Sequence, residues 1–227
     1  MGTEVVLVRH GETDWNAEGR LQGQNDPPLN GRGREQAENV ALHLAKVQQS
    51  VQQSGSGSGR VEVIYSSDLV RASATAEEIA KRLGVKLQLK KEFREKCLGV
   101  MEGLTLQEAR KKVPDAFDKW RKGRVVPGSE DKLSVQSRLQ SALDDIEKDF
   151  GGRKVVVVTH GGILNSIHRL ITGIKFPGKI PNTSLSTIFK AHGSDKWEIG
   201  TFALCDHLTA AGVEFDNRAF GGVGETG

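Results

Sequence analysis

Residues Lys154 to Thr159 contain four consecutive valines, and this run constrains the fold more than any other feature of the sequence. A strand can be apolar at every position only when both faces of its sheet are covered. The run therefore predicts a central strand of a sheet that has helices packed on both sides.

The order of strand and helix patterns along the chain extends this expectation. Strands are predicted at residues 4–8, 61–65, 86–89, 154–159, 186–191 and 197–204, and helices at residues 32–47, 71–83, 105–112, 115–122, 134–150 and 162–172. Asn30 is the predicted N-cap of the first helix. Alternating strands and helices are typical of a three-layer α/β/α fold with a mostly parallel central sheet.

A tract rich in Gln, Ser and Gly near residues 48–60 interrupts this pattern. The tract has little apolar surface to offset the entropy lost on ordering, so it predicts a flexible loop. Only about 47 residues precede it, too few for a separate domain of typical size. We therefore expect one domain over residues 1–208 and a disordered, Gly-rich tail over residues 209–227.

Composition and charge exclude several classes of protein. Of the 227 residues, 37% are hydrophobic and 27% are charged, which is the balance of a soluble globular protein. No apolar stretch approaches the roughly 18 to 20 residues that span a bilayer, so no membrane association is expected. The net charge of +3 is too small to indicate nucleic-acid binding. The lack of a charged leader and the two distant cysteines, Cys97 and Cys205, favour the cytoplasm.

Two apolar strands each end in a histidine followed by glycine. His10-Gly11 follows the first strand and His160-Gly161 follows the valine strand. In open α/β sheets, ligands bind outside the carboxyl ends of the strands. Either histidine alone could be a core residue, but two in matching positions predict a shared site.

Three further charged residues join this site in the predicted topology. Arg9 precedes the first histidine, Arg71 begins a helix after the second strand, and Glu95 follows the third strand. A cation is unfavourable at a helix N-terminus, so Arg71 calls for a functional explanation. Guanidinium groups can grip phosphate oxygens bidentately, and a carboxyl group can protonate a leaving alkoxide. The set of groups is that of phosphoryl transfer by a neutral imidazole.

The motifs around these residues resemble the signature of the histidine phosphatase superfamily, in its phosphoglycerate mutase-like branch. The similarity covers the chain in order, through Arg9-His10-Gly11-Glu12-Thr13 with Trp15-Asn16 and Arg20-Leu21-Gln22-Gly23, then Ser66-Ser67-Asp68-Leu69 with Arg71-Ala72, Phe93-Arg94-Glu95 with Gly99 and Glu102-Gly103, and Thr159-His160-Gly161-Gly162. It is closest to small phosphatases, including metal-independent phosphoserine phosphatases and plant phosphoglycerate mutase-like proteins. The resemblance implies a phosphoglycerate mutase-like fold.

The resemblance also implies a role for each matching residue. His10 would become phosphohistidine, Arg9, Arg71 and His160 would form the phosphate pocket, and Glu95 would be the proton donor. Four further positions would line the pocket and bind substrate: Asn16, Gln22, Gly23 and Gly161. Only the family pattern selects Glu95, because Glu92 and Glu102 lie nearby in the sequence.

No metal and no cofactor are expected at this site. Family members use no metal for catalysis, and the sequence lacks both an H-E-x-x-H helix and clustered carboxylates. His10 and Glu12 could be misread as ligands, but a pair flanking one glycine is a weak pattern. The expected partner is a small phosphorylated metabolite, and a homodimer is expected only by analogy with relatives.

The same residues serve phosphatases and cofactor-dependent phosphoglycerate mutases, so the alternative is a mutase. Mutases carry a longer insertion with paired arginines after the position of Glu95, whereas here Arg121 and Arg124 are only partial substitutes. A shorter cover admits water to a phosphohistidine, which favours hydrolysis. Asp131 stands where many relatives have a hydroxyl, and its charge would disfavour bisphosphate substrates near it.

Two readings from other classes remain. One is a protein phosphatase with an open cleft, and the other is a phosphoprotein-binding module without turnover, which an intact catalytic set argues against. Phosphoserine, a phosphoglycerate or a sugar phosphate all fit as substrate, because the sequence does not determine the geometry of the loops that would contact the leaving group.

Overall fold

The computed structural model describes residues 2–53 and 59–210. Its strands are β1 (Thr3–Arg9), β2 (Val61–Ser66), β3 (Leu87–Leu89), β4 (Lys154–Thr159), β5 (Leu185–Lys190) and β6 (Glu198–Ile199). Its α-helices are α1 (Asp14–Ala17), α2 (Gly31–Gln53), α3 (Val70–Leu83), α4 (Leu106–Lys112), α5 (Pro114–Arg121), α6 (Lys132–Phe150), α7 (Gly161–Thr172) and α8 (Asp206–Ala210). Two short 3-10 turns occupy Lys91–Phe93 and Gly99–Met101.

The strands form one six-stranded sheet in the order β3-β2-β4-β1-β5-β6. The strands β3, β2, β4 and β1 are parallel to one another, whereas β5 pairs antiparallel with β1 and β6 pairs antiparallel with β5. The valine strand β4 is central, and its four valines are fully buried. The predicted α/β class and mostly parallel sheet are confirmed.

Alternate side chains of the central strands enter two separate hydrophobic cores, as strand geometry requires. Val5, Leu7, Val155 and Val157 pack with residues of α6 and α7 on one face. The intervening residues, Val6, Val8, Val156 and Val158, pack with residues of α2 and α3 on the other. These two cores give the three-layer arrangement.

A third, smaller cluster lies outside the layers. It joins Leu21 to Met101, Ala109, Ala116 and Val126. We call residues 99–129, which carry α4 and α5, the cap. The cap packs on the loop that follows β1, where the amide of Leu21 donates to Leu104 and the amide of Gly103 donates back to Leu21.

Two segments differ from the sequence prediction. Helix α2 continues through Gln53, so the first six residues of the predicted loop near 48–60 are helical. Glutamine is a good helix former, and the side chain of Gln48 accepts a hydrogen bond from the amide of Val61 at 3.0 Å, which fastens this last stretch to β2. Residues 54–58 lie outside the described residues, as do residues 211–227 of the predicted tail.

The predicted strand at residues 197–204 is mostly irregular. Only Glu198–Ile199 forms a strand, and pairing with β5 continues beyond it through scattered hydrogen bonds such as that from Thr187 to Thr201. Ala203 has a positive φ of 57°, which regular strand geometry does not allow. An apolar pattern alone could not reveal this break.

Candidate active site

The carboxyl ends of β1, β2 and β4 meet at one edge of the sheet. His10 follows β1, Ser67 follows β2, and His160 follows β4, and all three are buried. The rings of His10 and His160 lie 5.1 Å apart between centroids, with a 57° angle between their planes. The fold therefore brings the two strand-end histidines into a single site.

Backbone contacts determine which nitrogen of His10 carries its proton. Nδ1 lies 2.7 Å from the carbonyl oxygen of Gly11, which can only accept a hydrogen bond. Nδ1 is therefore the protonated nitrogen of the neutral ring, and Nε2 keeps its lone pair. Burial holds the pKa of His10 well below its usual value, and the cations Arg71 and Arg9 lower it further. The ring is therefore neutral at physiological pH, and the lone pair of Nε2 is available.

Close backbone packing fixes the turn that presents His10. A Cβ at Gly11 would lie 2.4 Å from the carbonyl oxygen of Gly33, so only glycine fits at position 11. The amide of Gly11 donates to the hydroxyl of Thr75 at 3.0 Å. Contacts with both α2 and α3 thus leave this turn little freedom.

His160 is the N-cap residue of α7 and is fully buried. Its Nε2 lies 2.8 Å from the hydroxyl of Ser67. Burial holds its pKa well below the usual value, with further lowering by Arg71, His10 and Arg9. Within the described residues, its buried Nδ1 has no hydrogen-bond partner.

Two buried arginines supply positive charge beside these rings. Arg71 donates from its terminal nitrogens to the carbonyl oxygens of Gly23 at 2.8 Å and Asn25 at 2.7 Å. Its buried Nε has no partner in the described part of the chain. Arg9 donates to the carbonyl of Ile180 at 2.5 Å. Burial lowers the pKa of each arginine to about 10, so both remain cations at neutral pH.

Glu95 belongs to the segment between β3 and α4, and its side chain contacts the first turn of α7. Its Oε2 accepts from the amide of Gly162 at 2.9 Å, and its Oε1 accepts from the amide of Lys96 at 2.8 Å. A Cβ at Gly162 would lie 2.4 Å from Oε1, so a larger residue there would displace the carboxylate. The negative charge of Glu95 raises the pKa of Arg9 and that of Arg71, whereas burial lowers both.

The four predicted substrate-binding residues have different structural roles. Asn16 and Gln22 are buried and meet at Thr13, whose hydroxyl lies 3.1 Å from the side-chain oxygen of Asn16 and 3.2 Å from that of Gln22. Gly23 has a positive φ of 53° and contributes the carbonyl that holds Arg71. Gly161 is the first residue of α7.

Sequence reasoning missed a buried polar segment directly before β5. The side chain of Asn182 donates to the carbonyl of His10 at 2.9 Å, and the amide of Thr183 donates to the carbonyl of Arg9 at 3.1 Å. Thr183 has a positive φ of 55°. These residues hold the backbone at Arg9 and His10, and their signal in the sequence is a polar run ahead of an apolar strand.

Asp131 has a structural role that the sequence analysis did not assign to it. Its carboxylate caps α6 by accepting from the amides of Leu133 and Ser134 at 2.8 and 2.9 Å. Capping of α6 accounts for this residue without any contact to substrate. Arg121 and Arg124 of the cap are exposed.

The described residues contain no group of three His, Cys, Asp or Glu side chains that could hold a metal ion. None of the helices in that part of the chain is long and apolar enough to cross a membrane.

Comparison with known proteins identifies the family. Residues 5–203 match the family description of the histidine phosphatase superfamily, branch 1. The chain belongs to this superfamily. It is 38% identical over 225 residues to phosphoglycerate mutase-like protein 4 of Arabidopsis thaliana, covering 96% of this chain and 92% of the relative. It is 36% identical over 226 residues to a metal-independent phosphoserine phosphatase of the same plant, covering 97% and 88%.

A solved structure gives the same result for the fold. Phosphoserine phosphatase from Entamoeba histolytica, in complex with 3-phosphoglyceric acid, aligns with a TM-score of 0.73 and 27% identity, covering 91% of this chain and 99% of that one. The resemblance drawn from the motifs is thereby confirmed. As a histidine phosphatase, the chain is a phosphoric monoester hydrolase.

Proposed function

We propose that this protein is a metal-independent phosphatase that hydrolyses small phosphate monoesters through a phosphohistidine on His10. One observation carries the proposal. A neutral imidazole with a free Nε2 lies beside two buried, unpartnered nitrogens, Nε of Arg71 and Nδ1 of His160. Buried polar groups are nearly always hydrogen-bonded, and a phosphoryl group supplies acceptor oxygens for both.

In the first step, Nε2 of His10 attacks phosphorus. The N–P bond forms as the bond from phosphorus to the ester oxygen breaks, and the carboxyl group of Glu95 gives its proton to the departing oxygen. The alcohol leaves, and Glu95 is left as a carboxylate.

In the second step, water attacks the phosphohistidine. Glu95 takes a proton from the water, the new P–O bond forms, and the N–P bond breaks to release inorganic phosphate. His10 returns to its neutral state, so no redox partner or metal is required. Arg9 and Arg71 stabilise the charge on the phosphoryl oxygens in both steps, and their burial strengthens this effect.

The proposed substrate is a small phosphorylated metabolite of the phosphoserine type. The relatives that carry this activity in their names are similar over most of the chain, and one of them is named as metal-independent. Phosphoglycerates and sugar phosphates are the next candidates. A mutase is the alternative, because another relative is named phosphoglycerate mutase-like.

The test is a phosphate-release panel over phosphoserine, phosphoglycerates and sugar phosphates with EDTA present, run beside His10→Ala. We expect release from at least one ester to persist in EDTA and to fall by roughly 10⁴-fold or more in the variant, as for other covalent nucleophiles. Acid-quenched reactions with a ³²P-labelled ester should trap label on the wild-type chain alone. Phosphate release that stops in EDTA, or that persists in His10→Ala, would overturn the proposal. Interconversion of 2- and 3-phosphoglycerate without phosphate release would establish the mutase instead.

We also propose a cytoplasmic location, a single catalytic domain over residues 1–208 and a homodimer. The free thiols of Cys97 and Cys205 suit a reducing compartment. Fractionation of the source cells tests the location, and limited proteolysis tests the extent of the domain. Light scattering measures the mass in solution and so tests the dimer. A monomeric mass with full activity would remove the dimer from the proposal.

A further inference from the structure

Glu95 lies in an irregular segment of the chain. The residues on either side of it, 94–98, separate the two 3-10 turns and belong to no helix or strand, and we call them the Glu95 loop. A group that transfers a proton must be held within hydrogen-bond reach of its target. An irregular loop does not supply that precision by itself, so other contacts must fix it.

Arg138 of α6 contacts the chain directly before this loop and reaches the loop itself through Glu130. One terminal nitrogen donates to the carbonyl of Glu92, three positions before Glu95. The other terminal nitrogen and Nε grip the carboxylate of Glu130 at 2.9 and 2.7 Å. The amide of Glu130 in turn donates to the carbonyl of Cys97 at 3.0 Å, two positions after Glu95.

The pair formed by Arg138 and Glu130 is well sheltered. The two side chains are only 18% and 17% exposed, and the contact is bidentate. Such geometry adds directional specificity to the attraction between charges, which a single lysine contact lacks. Exposed ion pairs contribute little, but this pair joins α6 to both flanks of one loop.

A second bidentate pair holds the same loop to the sheet. Arg94 donates to both carboxylate oxygens of Asp68 at 2.6 and 2.7 Å. Asp68 directly follows Ser67, the residue whose hydroxyl contacts His160. Glu95 is thus held between α6 on one side and the end of β2 on the other.

We propose that Arg138 is a positioning residue that holds Glu95 at the leaving-group side of the pocket. The proposal rests on the proposed function, in which Glu95 protonates the departing oxygen. Arg138 acts through Glu92, Glu130 and Cys97 and makes no contact with Glu95 itself in the structure.

Leaving-group dependence provides the test, since a misplaced acid matters most when the departing oxygen is basic. The substrates are p-nitrophenyl phosphate, whose leaving group needs little protonation, and the best alkyl phosphate from the panel. The value of kcat/KM is measured with both because it reports the steps up to departure of the alcohol. The variants are Arg138→Met, Arg138→Lys and, as the reference for a lost acid, Glu95→Gln.

We expect Arg138→Met to lower kcat/KM for the alkyl ester by about 30-fold and for the aryl ester by about 3-fold or less, since small misplacements of catalytic groups are expensive. Arg138→Lys should fall between wild type and Arg138→Met, because it keeps the charge and loses the bidentate grip. Ala142→Gly, on the same helix, is the control for stability. It removes a buried methyl group and should lower the melting temperature without separating the two substrates.

Two results would count against the inference in different ways. Suppose that Glu95→Gln lowers kcat/KM more for the alkyl ester than for the aryl ester while Arg138→Met lowers the two values equally. In that case Arg138 has only a structural role, and the proposed function stands. If Glu95→Gln itself lowers both equally, Glu95 is not the acid, and both the assigned role and the inference fail.

Discussion

The candidate active site and the cap are built in opposite ways. In the site, the arginines and histidines are buried, and backbone groups, such as the carbonyls of Gly11 and Gly23, hold them in place. In the cap, a small apolar cluster lies beneath exposed cations, Arg121 and Arg124 among them. The comparison teaches that the charges of the site are held by the backbone at the edge of the sheet, whereas those of the cap face solvent.

The largest expected effect distinguishes a buried arginine of the site from an exposed arginine of the cap. Arg71→Lys loses the donors to Gly23 and Asn25 together with Nε, so we expect kcat/KM to fall by about 10³-fold, as when fixed transition-state donors are removed. Arg121→Met in the cap should change kcat/KM by about 3-fold or less for p-nitrophenyl phosphate, because exposed charges interact weakly. Equal losses in steady-state kinetics would mean that the cap takes part in the chemistry.

A similar comparison uses two glycines at helix starts. In Gly162→Ala the added Cβ would meet the carboxylate of Glu95 at 2.4 Å, so we expect activity on alkyl esters to fall by about 10²-fold through misplacement of the acid. The carboxylate is the end of a flexible side chain, so the melting temperature should change little. Gly31→Ala at the start of α2 is the control, since nothing lies within 4 Å of its added Cβ. A wild-type rate in Gly162→Ala would contradict the proposed position of Glu95.

The fold was largely readable from the sequence because its strands are apolar on both faces and end in recognisable motifs. The valine strand predicted its own central position, and His10 and His160 predicted the edge of the sheet at which they meet. The supporting contacts were not readable. Asn182 and Arg138 bind carbonyl oxygens of distant residues, and every residue carries a carbonyl, so the partner leaves no mark in the sequence.

Histidines with a lowered pKa also distinguish the rest of the protein from the cap, which contains no histidine. The pKa of His10 and that of His160 are held well below the usual value, and burial lowers that of His207 to about 4. These rings stay neutral in the folded chain and take up protons in the unfolded chain below about pH 6.5, so folding stability is fully present above that pH and falls as the pH drops.

Urea unfolding at pH 7.5 and pH 5 measures this loss, which we expect to be about 2 kcal/mol or more. His207→Leu should reduce the difference between the free energies of unfolding at the two pH values by removing one of the histidines with a lowered pKa. None of the six histidines lies in the cap, so cap substitutions such as Arg124→Met should leave the difference unchanged. A stability that is flat over this range would contradict neutral, buried rings.

The smallest expected effect concerns the boundary between the two regions. Asp131→Ala removes the N-cap of α6, so the free energy of unfolding should fall by about 1 kcal/mol. The ratio of kcat/KM values for a monophosphate and a bisphosphate should stay constant, because the carboxylate serves the helix. A changed ratio would show that the residue also senses substrate charge.

The place of β1 in the sheet has a consequence for how the protein is made. This first strand lies between β4 and β5, and the contacts that fix its end come from Ile180 and Asn182, 171 and 172 positions away from their partners Arg9 and His10. A ribosome therefore synthesises Arg9 and His10 long before the residues that hold them. A nascent chain that stops short of β5 carries every charged group assigned to the reaction yet has no finished pocket, so activity on the ribosome should begin abruptly, once β5 and the segment before it can fold against β1.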